Sequence, residues 1–182
     1  MKKTKFNLIC ICLLSGAAAL CISLLKMNEI DASLHELKED EYGNLITISK
    51  WIGITIAVIG EMIKPLLELL FFTLIIWLAI IIFGTKDSFK TIFSKGVLAY
   101  YLNLVGSVLI IVFYLFGLKD VEGLFSFPFL RNLNIFSLLS LCFWCYLCLE
   151  KKESSIKIKY SFSFLILFLF SVTISIFSDI LA

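Results

Sequence analysis

The sequence predicts an all-α fold: a bundle of about five membrane-spanning helices, with the N-terminus inside and the C-terminus outside. Of its residues, 60% are hydrophobic and only 16% are charged, whereas soluble domains carry about 45–50% apolar and about 25% charged residues. The apolar residues also gather in runs of about twenty, the length that crosses a bilayer core of about 30 Å. The 182 residues are therefore predicted to form a single integral membrane domain, 1–182.

The first predicted span covers residues 6–25, an apolar run that follows Lys2, Lys3 and Lys5. A cleaved signal peptide usually has an apolar core of about 7–15 residues. Because this run is longer and matches the thickness of a bilayer core, it predicts an uncleaved transmembrane helix.

Residues 26–44 are predicted to form an acidic amphipathic helix outside the membrane. Met27, Ile30, Leu34 and Leu37 recur at helical spacing, and acidic side chains fill many of the other positions. An acidic face is unsuited to anionic lipid headgroups and suits a cap on the bundle or a contact with another protein. The candidate outer partner surface consists of Glu36, Glu39, Asp40 and Glu41.

The apolar region 45–83 is about twice as long as one span, and the sequence leaves two interpretations open. The region forms either two short spans that turn at residues 61–65 or one long helix. If it is one crossing, counting back about twenty residues from its end gives a span over 62–83. Residues 45–61 would then be an apolar extension on the outer side.

Three charged residues and a proline interrupt this region. Glu61, Lys64 and Glu68 are spaced i, i+3 and i+7, which places them on one side of a helix. Pro65 is a candidate kink because proline lacks the backbone donor. Charge at membrane depth costs about 2.5–3.5 kcal/mol per group on insertion scales. The charged face is therefore a structural ion-pair cluster near the outer headgroup level, a partner contact, or part of an ion or substrate path.

The remaining predicted spans cover residues 96–118, 133–149 and 160–178. Lysine placement indicates their direction, since basic residues near span ends favour the cytoplasm. With 45–83 as one crossing, the inner segments carry ten basic and three acidic residues, and the outer segments carry five and nine. The inner segments are 1–5, 84–95 and 150–159. A hairpin at 45–83 would place two of them outside, so five spans are predicted.

The sequence predicts a protein without enzymatic activity. It contains no H-E-x-x-H, G-x-S-x-G or Walker A motif, the signatures of common hydrolases and nucleotide-binding enzymes. Its six cysteines lie in apolar stretches, where a thiol behaves as a small hydrophobic group, so neither a metal site nor a cofactor is predicted. A net charge of +2 without a dense basic cluster argues against a nucleic-acid partner.

The order of motifs after residue 60 resembles a known family. "GTKDSFKTIFSKGVLAYYLNLVGSVL" (84–109) has a short basic loop and then a span, and "LRNLNIFSLLSLCFWCYLCLEKKESS" (130–155) has N-x-F before a span and a polar turn. In the bacterial branch of the Yip1 family of five-span membrane proteins, the loop before the third span reads roughly G-x-x-x-S-F-K, and the fourth span begins near N-x-F. The resemblance covers about residues 60–178.

The resemblance implies an integral membrane protein without catalytic residues, since the family offers none at matching positions. Some bacterial relatives look like accessory partners of ABC exporters that handle toxic peptides. The first hypothesis is thus an accessory protein of the bacterial cytoplasmic membrane that binds lipid and other integral membrane proteins, including an ABC transporter. The alternatives are a stand-alone bacteriocin-type immunity protein and a small transporter or channel.

Overall fold

A computed structural model describes residues 2–27, 30–31, 43–118, 125–127, 130–150 and 152–181. It confirms the all-α class, with helices that pack side by side as a bundle. In the described ranges the helices are α1 (Lys2–Leu25), α2 (Gly43–Ile82), α3 (Phe89–Ala99), α4 (Tyr101–Leu115), α5 (Ile135–Leu149) and α6 (Ser154–Leu181).

Four helical segments of the described chain are long and apolar enough to cross a membrane. Three of them lie in α1, α2 and α6. The fourth is the 27-residue segment Phe89–Leu115, which consists of α3 and α4. These two helices meet at Tyr100, whose backbone angles are helical. The apolar helix α5 has 15 residues and at 1.5 Å per residue is only about 22 Å long. The predicted fourth span, 133–149, is therefore present as a shorter helix.

Helix α2 is one uninterrupted helix of 40 residues, so the single-helix interpretation of region 45–83 describes the fold. Its length is about 60 Å, twice the thickness of a bilayer core. The helix continues through the candidate kink at Pro65, which is buried. Because proline has no N–H, the carbonyl of Glu61 receives no helical hydrogen bond from position 65.

A short antiparallel hairpin departs from the all-helical expectation. Strand β1 (Ser126–Phe127) pairs with β2 (Leu130–Asn134) in a segment that was predicted to be part of an outer loop. The hairpin leads directly into α5, where the Asn134 side chain accepts a 2.7 Å hydrogen bond from the backbone N–H of Ser137. This N-cap satisfies one of the free donors at the helix start and fixes where α5 begins.

Contacts near the helix ends show that successive helices run in opposite directions. At one end, the Thr4 and Ser94 hydroxyls are 3.2 Å apart, and Lys152 Nζ lies 2.7 Å from Asp87 Oδ2. We call this the basic end, because it gathers the three segments that the lysine count assigns to the inner side. At the opposite end, Lys26 Nζ lies 5.5 Å from the centre of the Tyr114 ring.

Helix α5 packs closely against α3. A Cβ atom added to Gly96 would lie 2.4 Å from the Trp144 ring, so only glycine leaves room for this indole. Trp144 Nε1 donates a 3.0 Å hydrogen bond to the Ile92 carbonyl, and Ser140 Oγ donates a 2.9 Å bond to the Ala99 carbonyl. These contacts hold α5 at a fixed height beside α3.

Candidate functional site

The three predicted charged residues of α2 divide between two environments. Lys64 Nζ lies 3.2 Å from Glu61 Oε1, and the two side chains are 52% and 46% exposed on the outside of the bundle. Glu68 turns instead toward the interior, where its Oε2 accepts a 2.9 Å hydrogen bond from the Tyr100 hydroxyl. The face that the spacing predicted is thus an outward ion pair and an inward carboxylate.

The depth of these charges differs from the expectation that they mark the outer headgroup level. An added Cβ on Gly16 would lie 2.2 Å from Met62 Cγ, so α1 and α2 touch closely beside the ion pair. Gly16 is eleven residues after Lys5 and ten before Lys26, the lysines that flank the apolar run of α1. At 1.5 Å per residue it lies about 15 Å from each. Glu61 and Lys64 therefore lie near mid-depth relative to that run.

Glu68 lines a cavity of about 230 Å³ whose other lining residues come from α2, α3, α4, α5 and α6. Its polar lining also includes Tyr100, Asn103, Ser137, Ser140 and Ser171, and its aromatic walls are Phe72, Trp144 and Phe168. The oxygen Oδ1 of Asn103 is buried and receives no hydrogen bond from any residue that the structure describes. The cavity therefore combines a carboxylate, several oxygens and aromatic rings inside an apolar bundle.

The sequence interpretation missed Tyr100 as the hydrogen-bond partner of Glu68. Tyr100 is buried and lies where α3 meets α4, and in the sequence it was only part of an aromatic pair in a span. A tyrosine in a predicted span is a weak signal, because tyrosine also suits membrane interfaces. Only the contact between α2 and the α3–α4 segment brings its hydroxyl to the carboxylate.

A second polar cluster ties the loops together at the basic end. Lys152 Nζ lies 2.9 and 2.7 Å from the two Asp87 carboxylate oxygens, and the Tyr160 hydroxyl donates a hydrogen bond to Oδ2. Partial burial raises the pKa of Asp87, but the hydrogen bonds from Lys152 and Tyr160 and the ammonium charge outweigh it and lower the pKa below its usual range. This cluster joins the α2–α3 and α5–α6 connections and has a structural role.

The outer partner surface, Glu36, Glu39, Asp40 and Glu41, lies outside the described residues. Cys142, Cys145 and Cys148 follow one another on α5 as free thiols. Among the residues that the structure describes, no group of three or more metal-ligating side chains is placed to hold an ion.

Comparison of the chain with profiles of known protein families, with curated proteins and with solved structures finds no match. The resemblance to the Yip1 family accordingly stays a prediction. Helix α2 thus carries two candidate functional features, the outward ion pair and the inward carboxylate with its cavity.

Proposed function

We propose that this protein is a non-enzymatic membrane accessory protein that binds another integral membrane protein through the outward face of α2. The observation that carries the proposal is the Glu61–Lys64 ion pair, which is about half exposed near mid-depth of the bundle. Charge in contact with hydrocarbon is expensive. A neighbouring transmembrane helix that brings polar side chains to the pair would replace lipid there and relieve that cost.

The surface around the ion pair leaves room for such a helix. A Cβ added to Gly53 or Gly60 would meet nothing within 4 Å, so the backbone of α2 is open at both positions. Small residues on one face of a helix allow the close backbone approach on which helix association in membranes depends. Leu67, about one helical turn after Lys64, is exposed and adds an apolar side chain to the same face.

The first half of α2 adds apolar surface beyond the charged pair. Lys50 forms an ion pair with Asp31, five residues past the lysine that ends the apolar run of α1. At that level Ile48, Trp51 and Ile52 are each about half exposed. A partner that extends past the membrane on this side would cover them. These positions extend the apolar part of the partner surface along the first half of α2.

Because the chain resembles bacterial Yip1-like proteins, the proposed partner is an ABC-type exporter or a component of a peptide-resistance system. The same proposal places the chain in a bacterial cytoplasmic membrane with its basic end in the cytoplasm, since positively charged loops favour that side. The clustering of Lys86, Lys90, Lys95 and Lys152 in connections and helix starts at one end of the bundle supports this orientation.

Site-specific photocrosslinking in cells tests the proposal. A photoreactive residue replaces Ile63 or Leu67 on the outward face of α2, and Leu165 or Leu169 on α6 provides matched exposed controls. We expect one discrete adduct with a larger membrane protein from the α2 positions and none from α6. The adduct should weaken when Lys64→Gln is added, because the partner loses its polar contact.

Two results would contradict the proposal. Equal adducts from α2 and α6 would indicate random collisions in the bilayer. An adduct of twice the mass of this chain would indicate that a second copy, rather than a different membrane protein, covers the ion pair.

A further inference from the structure

We infer that the cavity around Glu68 binds a small organic cation, an amine with an apolar body. This inference goes beyond the proposed partner role and does not depend on it, since the cavity opens from the inward side of α2 and the ion pair lies on the outward side. It follows from the hydrogen-bonding polarity, the charge, the walls and the size of the cavity.

The oxygens that line the cavity are mainly acceptors. Three serine hydroxyls line it, and each donates its proton to an acceptor on its own helix, its helix cap or α3. These bonds join Ser137 Oγ to Asn134 Oδ1 at 3.0 Å, Ser140 Oγ to the Ala99 carbonyl at 2.9 Å and Ser171 Oγ to the Leu167 carbonyl at 3.0 Å. A hydroxyl that has used its proton can only accept a further hydrogen bond. The serines therefore present lone pairs to a ligand.

Two of the other polar groups also have no proton free for a ligand. Tyr100 donates its proton to Glu68, and the Trp144 indole N–H donates to the Ile92 carbonyl, so neither proton is free for a ligand. Asn103 Oδ1 is a buried acceptor that no donor from the described part of the chain satisfies. Leaving a buried acceptor unpaired costs free energy, and a ligand that carries several N–H donors would satisfy it.

Glu68 supplies the negative charge. The nearest lysine on its own helix, Lys64, forms its ion pair with Glu61. Only one oxygen of Glu68, Oε2, accepts the bond from Tyr100, and a carboxylate has two oxygens with several lone-pair sites. An ammonium group placed in the cavity would therefore find a charged acceptor. An anionic ligand would meet a carboxylate and acceptor oxygens, so it is disfavoured.

The walls and the volume define the rest of the ligand. Phe72, Trp144 and Phe168 line the cavity, and aromatic faces attract cations within about 6 Å of the ring centre. A dry cavity of about 150 Å³ is large enough for benzene, whereas pockets for drug-sized ligands start at about 300 Å³. A volume of about 230 Å³ therefore suits one aromatic ring with a short aminoalkyl chain.

Isothermal titration of the purified full-length protein in detergent tests the inference, with phenethylamine as the cation and 2-phenylethanol as its neutral isostere. We expect saturable binding of the amine, at least about tenfold tighter than the alcohol, because hydrogen bonds to charged groups are the stronger ones. Glu68→Gln should remove this preference. Glu153→Gln, the same substitution at an exposed residue of the basic end, should leave it unchanged.

Several outcomes would overturn the inference. Equal affinities for the amine and the alcohol would show that Glu68 does not recognise charge. An equal loss in Glu153→Gln would indicate general attraction of cations to the protein. Saturable binding of Na⁺ without binding of the amine would make the cavity an inorganic-ion site. If Glu68→Gln fails to fold, the comparison of amine and alcohol on the unmodified chain decides.

Discussion

Replacing Gly96 by alanine should destabilise the bundle, and the size of the effect follows from the contact with Trp144. The new Cβ would lie 2.4 Å from the indole ring. The ring cannot withdraw easily, because its N–H is bonded to the Ile92 carbonyl at 3.0 Å and the ring packs edge-on against Phe164 with ring centres 6.0 Å apart. Either the indole or the backbone of α3 must move.

The free energy of unfolding should fall through two losses. Overpacking of a well-packed core costs about 1–3 kcal/mol, and displacing the indole adds about 0.5–1.5 kcal/mol for its hydrogen bond. Replacing glycine by alanine in a helix returns about 1 kcal/mol. Gly60→Ala is the matched control, because it receives the same helix-propensity gain at a position where a Cβ meets nothing within 4 Å. The difference between the two variants should be about 1.5–4.5 kcal/mol.

Thermal and denaturant unfolding of the two variants in the same detergent measures this difference. Tryptophan emission offers a second observable, because Trp144 should change its environment in Gly96→Ala and keep it in Gly60→Ala. Equal stability of both variants, with unchanged emission, would refute the packing argument. It would show that α5 can slide away from α3 without loss, and that the cavity wall formed by Gly96 and Trp144 is not rigid.

Two further predictions concern the basic end and the orientation. Asp87→Asn should lower the stability at neutral pH by about 1–3 kcal/mol, because it removes a charged acceptor from Lys152 and Tyr160. Folding lowers the pKa of Asp87, so its contribution to stability is complete above the unfolded pKa of about 3.9 and is lost as the pH falls through the lower folded pKa. Unfolding of the unmodified protein and of Asp87→Asn across pH should show the stability difference shrinking in acid. A difference that stays constant would contradict this linkage. The orientation can be tested in a background without the native cysteines. There, Ile48→Cys should react with an impermeant thiol reagent from outside, and Lys86→Cys should react only after permeabilisation. Equal labelling of both from outside would exclude the five-span orientation.

The fold class and the common side of the basic loops could be predicted because both depend on signals local in the chain. The length of an apolar run indicates whether it can cross the membrane, and the lysines between two runs indicate on which side that loop lies. The contacts Thr4–Ser94 and Asp87–Lys152 bring together the segments that the lysine count had grouped. The pairing of Asp87 with Lys152 was not predicted, because both residues were only charges in separate loops.

The site could be predicted only in part because it depends on how helices are rotated and shifted against each other. Spacing places Glu61 and Glu68 on one side of α2, but neighbouring helices cover only one edge of that side. The sequence therefore identified Glu68 without its partner Tyr100, whose hydroxyl reaches it from another helix. The depth of Glu61 and Lys64 could not be predicted for the same reason. Charges beside a proline are typical of a membrane boundary, and only the contact of Gly16 with Met62 relates these charges to the middle of α1.

The two features of α2 are linked through Lys64. This lysine has a carboxylate on each side along the helix, three residues before it and four residues after it, and both spacings permit an ion pair. Its bond to Glu61 at 3.2 Å places the ammonium on the outward face. If Glu61 did not hold it there, the ammonium would be free to neutralise Glu68, which would then have no net charge to offer a cation. Glu61 therefore has two effects. It completes the outward polar surface that a partner helix would cover, and by binding Lys64 it keeps that lysine away from Glu68, whose carboxylate then faces Tyr100 and the cavity.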